Sequence, residues 1–529
     1  MRISLNTMKF VGTIHGEVKA ESFDILLSTP IEKGSFVKIH HESYGWVLAR
    51  ITALRRFIKD NDEMLIASAR VIGYKSDSGV VSVPKAPFKP EEKVFAADRD
   101  LIMDVIGLNR SRHHSIYLGY LEGHNIPVHL DIQKTIGKHI CVLAKTGAGK
   151  SYTVAVILEE LLKAKIPLLI IDPHGEYSSL KYENDDFENM LKFGVKPRSY
   201  EKQINEYAAN IVVNPEAMKL TLKPEFSFHE LVEILPIKLT ELQKSILYES
   251  LKSLEGRDYT LRDLINVVKS HEDKGKWKVV SALELLRDSG IFEGKPLDAK
   301  DLVKEGQATI INLKGSELFI QQLIVAKLAK DLFDALKLGK IPPFFFLIEE
   351  AHNFCPERGF GDTLASQIIR NIASEGRKFG FYLCVVSQRP ARVDKNVLSQ
   401  CNTQIILKVT NPNDLKAISQ SIEGFTSGME EEIKQLSVGQ ALVVGECVEQ
   451  PIIVNVRARE TKHMAITPLK RESKEEVKEE ESILEKIKPI FLKETDDEIV
   501  EKKPLKEEKR KTLFDRIKYL FLKEEERAQ

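Results

Sequence analysis

The residues best equipped for chemistry form one short stretch, Thr146-Gly147-Ala148-Gly149-Lys150-Ser151, followed directly by Tyr152. Backbone N–H groups of a glycine-bearing turn that opens a helix make a nest for anions, and the helix dipole strengthens it. A lysine and a hydroxyl closing such a turn suit phosphate chemistry. Lys150 would reach the β- and γ-phosphates of a nucleotide, and Ser151 would hold Mg²⁺. Thr146 through Tyr152 are therefore expected to bind the nucleotide, with ATP and Mg²⁺ as the bound species.

Other polar residues end apolar runs, where open α/β sheets bind their ligands. Ile166 to Ile171 is followed by Asp172-Pro173-His174-Gly175-Glu176-Tyr177. Asp172 either faces that ligand or caps the turn before Pro173. Phe344 to Ile348 runs into Glu349-Glu350-Ala351-His352, a Walker B form with glutamate at the first acid. Glu349 would hold the Mg²⁺ shell through water, and Glu350 would polarise the attacking water. Phe381 to Val386 ends in Ser387-Gln388-Arg389-Pro390, making Gln388 a sensor for the γ-phosphate or the water. Arg377, just ahead of that strand, is either a surface residue or a finger aimed at a neighbour's γ-phosphate.

The elements that must position these groups read as alternating strands and helices. Ile140 to Leu143 is a buried strand. Val154, Ile157, Leu158, Leu161 and Leu162 then recur at helical spacing, which predicts a helix with one face inward. The P-loop form usually has glycine at the position of Ala144; a positive φ there would cost an alanine about 1 kcal/mol. Strands over 307–313, 403–409 and 439–445 complete the expected sheet, the last of them closing it. Between the two halves, 225–300 changes to helical period, with a Ser227-Phe228-His229-Glu230 capping box.

Residues 1–90 differ: short runs of β-formers punctuated by turns predict a small β-barrel. The proline-bearing stretch Lys85–Lys93 reads as the linker out of it, and no nucleotide motif lies before it. At the other end, 34 of the 59 residues from Arg471 onward are charged, too many for a buried core. Leu513, Phe514, Ile517, Leu520 and Phe521 still make a helical apolar stripe there. The expected organisation is thus a barrel over 1–90, an ATPase core over 91–224 and 301–460 with a helical insertion at 225–300, and a charged tail over 461–529. A chain of 529 residues requires several domains.

Bulk properties narrow the class. Basic and acidic residues balance at 78 each, so no global basic footprint marks a nucleic-acid binder, although a polymer threaded through a ring needs only local charge. The five cysteines are scattered without a CxxC pair, which argues against a metal centre or disulfide framework. No signal-like leader or membrane-length apolar run appears, and a soluble cytoplasmic protein is expected.

In order, AKTGAGKS, IDPHGEY, FLIEEAHNF, EGRKFG, SQRP and GQALVVG, behind a small barrel, resemble the archaeal HerA-type DNA translocases of the HerA/FtsK group. The resemblance covers residues 1–460. It implies a RecA-like P-loop core in a homohexamer, double-stranded DNA in a central channel, and ATP between subunits. It also implies a NurA-type partner nuclease working with a repair nuclease complex in end resection, with the barrel as a docking ring. Lys150, Ser151, Asp172, Glu350, Arg377 and Gln388 match the family's nucleotide-handling positions, and Glu349 takes the Mg²⁺ role. The arginine that often precedes the P-loop strand's histidine is Lys138 here, which weakens bidentate phosphate contact. Competing readings are a conjugation or secretion motor of the same group, a protein-unfolding ring ATPase and a nucleotide-gated scaffold.

Overall fold

The computed structural model describes residues 9–463, apart from 60–61, 77, 109–113, 225, 236, 258, 424 and 426. The charged tail from residue 464, its apolar stripe included, lies outside the described residues.

Seven strands precede residue 97: β1 (Phe10–Val18), β2 (Ser22–Leu27), β3 (Phe36–His41), β4 (Gly45–Lys59), β5 (Asp62–Lys75), β6 (Val81–Ser82) and β7 (Lys93–Ala96). Six of them close in the order β2-β1-β7-β3-β4-β5, and β5 pairs back to β2; β6 joins the end of β5. Alternate residues such as Ile25, Val37, Ile39, Val47 and Ala67 fill the interior, as period-two patterning requires. One expectation is corrected here. Lys85–Lys93 does not lead out of the barrel: its Phe88 is buried in the barrel core against Phe23, and β7 is a barrel strand. Proline marked a turn, and one phenylalanine made that turn part of the fold.

The second sheet contains β8 (Ser115–Leu121), β9 (Pro127–Asp131), β10 (Ile140–Leu143), β11 (Leu168–Asp172), β12 (Ile204–Ala208), β13 (Met218–Lys219), β14 (Ala308–Asn312), β15 (Phe344–Ile348), β16 (Phe381–Ser387), β17 (Thr403–Ile406), β18 (Gln440–Val444) and β19 (Ile452–Val456). Their order is β13-β12-β14-β11-β15-β16-β10-β17-β18-β19-β8-β9. Pairing is parallel from β13 to β17 and antiparallel from β17 to β9. The central strands β10, β11 and β15 are buried on both faces, which is why their sequences are apolar runs. The sheet does not end at β18. β19 and the hairpin β8–β9 extend it, and their mixed-polarity patterns carry a weaker sequence signal.

Between β13 and β14, helices Phe228–Ile234, Glu241–Ser253, Leu261–Ser270 and Lys276–Asp288 form the expected insertion. Capping boxes open the first three, the Ser227–Glu230 pair among them. Their apolar faces share one core with the sheet.

The helix Lys150–Lys163 departs from the one-faced pattern, being buried on every side. Glu159 and Glu160 are taken up by the fully buried Arg457, at 3.0 and 2.7 Å. Backbone N–H groups of Glu460 and Thr461 also donate to Glu159. Two acids can sit inside because each charge is paired and hydrogen-bonded, and the partners arrive three hundred residues later in the chain.

Candidate nucleotide site

β10 delivers the chain into the loop, where Gly147 and Gly149 have φ of 76° and 96° and the helix begins at Lys150. Both glycines sit in the left-handed region, where a side chain costs about 1 kcal/mol. Ala144 is not among the residues with positive φ, so its departure from the usual motif carries no such cost. Its N–H donates to Ser387 O at 3.3 Å, and that of Lys145 donates to Lys408 O at 2.9 Å. The loop is therefore anchored to the ends of both strands that flank β10.

Lys150 is 6% exposed, and its ammonium meets both Walker B acids: it donates to Glu349 Oε1 and, at 3.3 Å, to Glu350 Oε1. Burial pushes Lys150 below the ordinary lysine value, while Glu350 and Glu176 act against that shift. Glu349 Oε2 accepts the Tyr177 hydroxyl at 2.7 Å. Glu350 follows the end of β15 with φ 50° and ψ 46°, left-handed backbone that is unusual for a side-chain-bearing residue. Strain of this kind persists where surrounding contacts over-determine it, and here those contacts hold the carboxylate beside Lys150.

Gln388 ties the two halves of the cluster together. Its Nε2 donates to Glu350 Oε1 at 2.6 Å, and its Oε1 accepts the Thr146 hydroxyl. Glu350 Oε2 is buried and accepts no hydrogen bond among the described residues. His352 Nδ1 stands 3.3 Å from that oxygen and 3.1 Å from Ser387 Oγ. Burial lowers the His352 value, against the pull of Glu350. Glu350 thus has one oxygen held by Gln388 and Lys150 and one without a hydrogen-bond donor among the described residues.

Asp172 is fully buried at the end of β11, and both of its oxygens serve the turn that follows. Oδ1 accepts from the N–H groups of His174, Gly175 and Glu176 at 3.3, 2.8 and 3.2 Å, and Oδ2 accepts from that of Tyr177 at 2.9 Å. Burial pushes its carboxyl up to about 6, with the backbone donors opposing. Of the two roles the sequence left open, capping is the one these contacts perform. Through the turn, Asp172 positions Tyr177, which in turn holds Glu349. Tyr177 had no assigned role in the sequence; its only signal was membership of the IDPHGEY stretch.

Ser151 sits half-buried in the first helical turn beside Lys150. Tyr152 turns elsewhere: its hydroxyl accepts the N–H of Arg459 at 2.9 Å and anchors the segment after β19. Arg377 and Lys138 are not brought to the cluster at all. Arg377 lies in the turn Gly376–Lys378 before β16, and Lys138 precedes β10 and pairs with Glu446 at 2.5 Å. Gln388 follows the opposite end of β16. Seven residues of strand at about 3.3 Å each separate the two ends by roughly 23 Å.

The donor set fits a magnesium–nucleotide complex. Two glycines shape the turn, a buried cation is neutralised by two acids, and a hydroxyl stands at the helix start. Among the described residues no group of three or more His, Cys, Asp or Glu could hold a metal by itself.

A family model for the helicase HerA central domain matches residues 116–332, and one for the HerA-like C-terminal domain matches residues 311–514. A probable helicase of Methanocaldococcus jannaschii is 26% identical over an alignment covering 85% of this chain and 91% of that protein. The DNA double-strand break repair helicase HerA of Saccharolobus solfataricus is 27% identical, covering 87% of this chain and 94% of that one. Among solved structures, VirB4 of Thermoanaerobacter pseudethanolicus is similar with a TM-score of 0.48 at 16% identity, covering 66% of this chain and 97% of that one. The two models in tandem run through every strand that positions Lys150, Glu350 and Gln388, and the chain belongs to the HerA helicase family of ATP-hydrolysing enzymes.

Proposed function

We propose that this enzyme is a hexameric motor that moves on double-stranded DNA, and that it serves a NurA-type nuclease and a repair nuclease complex in end resection. Relatives in Methanocaldococcus jannaschii and Saccharolobus solfataricus are named as DNA double-strand break repair helicases, the first as a probable one. The observation that supports a ring is the separation of Arg377 from Lys150. One subunit holds the P-loop lysine, the acids and the glutamine, and presents its arginine at the far end of the same sheet. An arginine so placed does not reach its own subunit's nucleotide and, in this reading, serves a neighbour's.

In this reading Lys150 leaves the acids and moves to the β- and γ-phosphates as they enter the turn. Glu350, released from that pairing, polarises the attacking water with Oε2, while Gln388 holds Oε1 and reads the γ-phosphate. Asp172 and Tyr177 keep Glu349 in place. Ser151 and Glu349 would hold Mg²⁺, which when bound neutralises charge on the phosphates. Arg377 of a neighbouring subunit stabilises charge developing in the transition state. Tyr152 is read as a structural anchor beside the phosphate turn.

The barrel is read as the docking ring for the nuclease. Among the described residues no helix is long and apolar enough to cross a membrane, and the chain is proposed to act in the cytoplasm. The discriminating experiment is the ATPase rate with double-stranded DNA against the rate with unfolded protein. Stimulation by DNA alone is expected. Stimulation by unfolded protein alone would establish an unfoldase instead.

A further inference from the structure

Two loops that leave the strand ends beside the nucleotide site are fastened to each other. Residues 356–363 follow β15 and residues 389–395 follow β16. Pro356 and Val393 form an antiparallel bridge, Glu357 N donates to Arg392 O at 2.8 Å, and Asp394 N donates to Cys355 O at 3.0 Å. The joined loops are therefore one platform.

Its charges are distributed unevenly. Every carboxylate on or against the platform is engaged. Glu357 accepts from Lys395 N at 3.0 Å and faces the Lys395 ammonium at 3.7 Å. Asp362 and Asp394 both pair with Arg370, at 2.5 and 2.8 Å, and Asp414 accepts from Ala391 N at 3.0 Å. Arg358, Arg389 and Arg392 are exposed and form no ion pair among the described residues. Beside them Phe360 is 60% exposed, with the Arg392 guanidinium 5.3 Å from its ring centre. An apolar ring of that size left in water, carrying a guanidinium, is a combination found where proteins grip nucleic-acid strands.

We propose that this platform is a phosphodiester-binding surface, with Arg358, Arg389 and Arg392 on the phosphates of a DNA strand and Phe360 holding the Arg392 guanidinium flat. The proposal rests on the reading that the enzyme works on DNA, and deepens it by assigning the contact. Guanidiniums without acid partners are ready for phosphate, which they bind in a bidentate fashion. Lys395 is not included, since Glu357 already engages it.

The platform is also wired to the catalytic acid. Arg389 N donates to Ser387 Oγ at 3.0 Å, the same oxygen that lies 3.1 Å from His352 Nδ1, and that nitrogen faces Glu350 Oε2. A strand that pulls on Arg389 moves a group two contacts from the oxygen that polarises water. DNA binding and hydrolysis are linked by that route.

The test uses the full chain and a fluorescein-labelled DNA duplex, followed by anisotropy across a potassium chloride series. The double variant Arg358→Ala/Arg392→Ala should bind about tenfold or more weakly at low salt. Its dependence of log affinity on log salt should flatten by about one per arginine removed. Stimulation of hydrolysis by the duplex should fall in parallel. Arg358→Lys/Arg392→Lys, which keeps the charges, should retain most of the salt dependence, separating loss of contact from loss of fold. Wild-type affinity and slope in the alanine variant, with its melting temperature unchanged, would overturn the assignment. A wild-type chain that binds no duplex at all would overturn the DNA reading itself, and this surface with it.

Discussion

The two ends of the parallel sheet are built on opposite plans. At the C-terminal end of the strands, Thr146, Lys150, Glu349, Glu350 and Gln388 contact one another directly within one chain. At the N-terminal end, Lys138 and Arg377 stand near solvent, and neither reaches that cluster. Between them His139 is buried, its Nδ1 accepting from Leu383 N at 3.0 Å. A cluster satisfied within its own chain can be read as chemistry from one subunit. In the proposed reading the arginine at the other end acts through a second subunit, and the contrast is what a shared active site would explain.

The sharpest way to break the contrast is Arg377→Ala. If the arginine completes a neighbour's site, the variant binds ATP but hydrolyses it about 10³–10⁵ more slowly. Mixing it with Lys150→Ala should restore part of the rate, because mixed rings contain interfaces with an intact lysine facing an intact arginine. The measurement is ATPase rate against mixing ratio after subunit exchange. Zero activity at every ratio, in rings shown to be mixed, would mean that Arg377 acts within its own subunit, and Lys138 would be the next residue to test.

Glu350→Gln probes the self-contained end. The amide keeps the size and the partner Gln388, but cannot polarise water. A loss of about 10²–10⁴ in turnover with ATP binding retained is expected. Normal turnover in this variant, together with loss in Glu349→Gln, would reverse the two acids.

The smallest effect concerns the residue between Lys138 and the P-loop strand. Burial lowers His139 from 6.5 to about 4, with Arg377 contributing and the carbonyl of Ala373 opposing. The folded chain holds this histidine neutral, while the unfolded chain protonates it below about pH 6.5. Its contribution to stability is therefore complete above that pH and is lost as the pH falls toward 4, about 3 kcal/mol in all. His139→Asn removes the titration, keeps an acceptor for Leu383 N and tolerates the φ of 63°. Urea midpoints of the variant should vary less than those of wild type between pH 6.5 and 4. Equal losses in the two would mean that His139 is not what titrates.

Much of this fold was legible because its determinants are local. The strands β10, β11, β15 and β16 are unbroken apolar runs, the insertion's helices carry their own capping boxes, and the phosphate turn announces itself by two glycines before a lysine. These features depend on neighbours in the chain, so spacing alone reveals them. The P-loop, the acid pair and Gln388 were placed by the same reasoning, since each ends a strand that must lie in one parallel sheet.

Tertiary structure decided what spacing cannot reach. The helix after the P-loop reads as one-faced, yet is buried all round, because Arg457 arrives from beyond β19 to pair Glu159 and Glu160. The barrel takes in Lys85–Lys93 because Phe88 finds a cavity among residues far earlier in the chain. Asp172 serves a turn and Tyr177 holds Glu349, a choice set by where four N–H groups converge. In each case local pattern names the kind of residue, while the energy that settles its role comes from partners brought close only by folding.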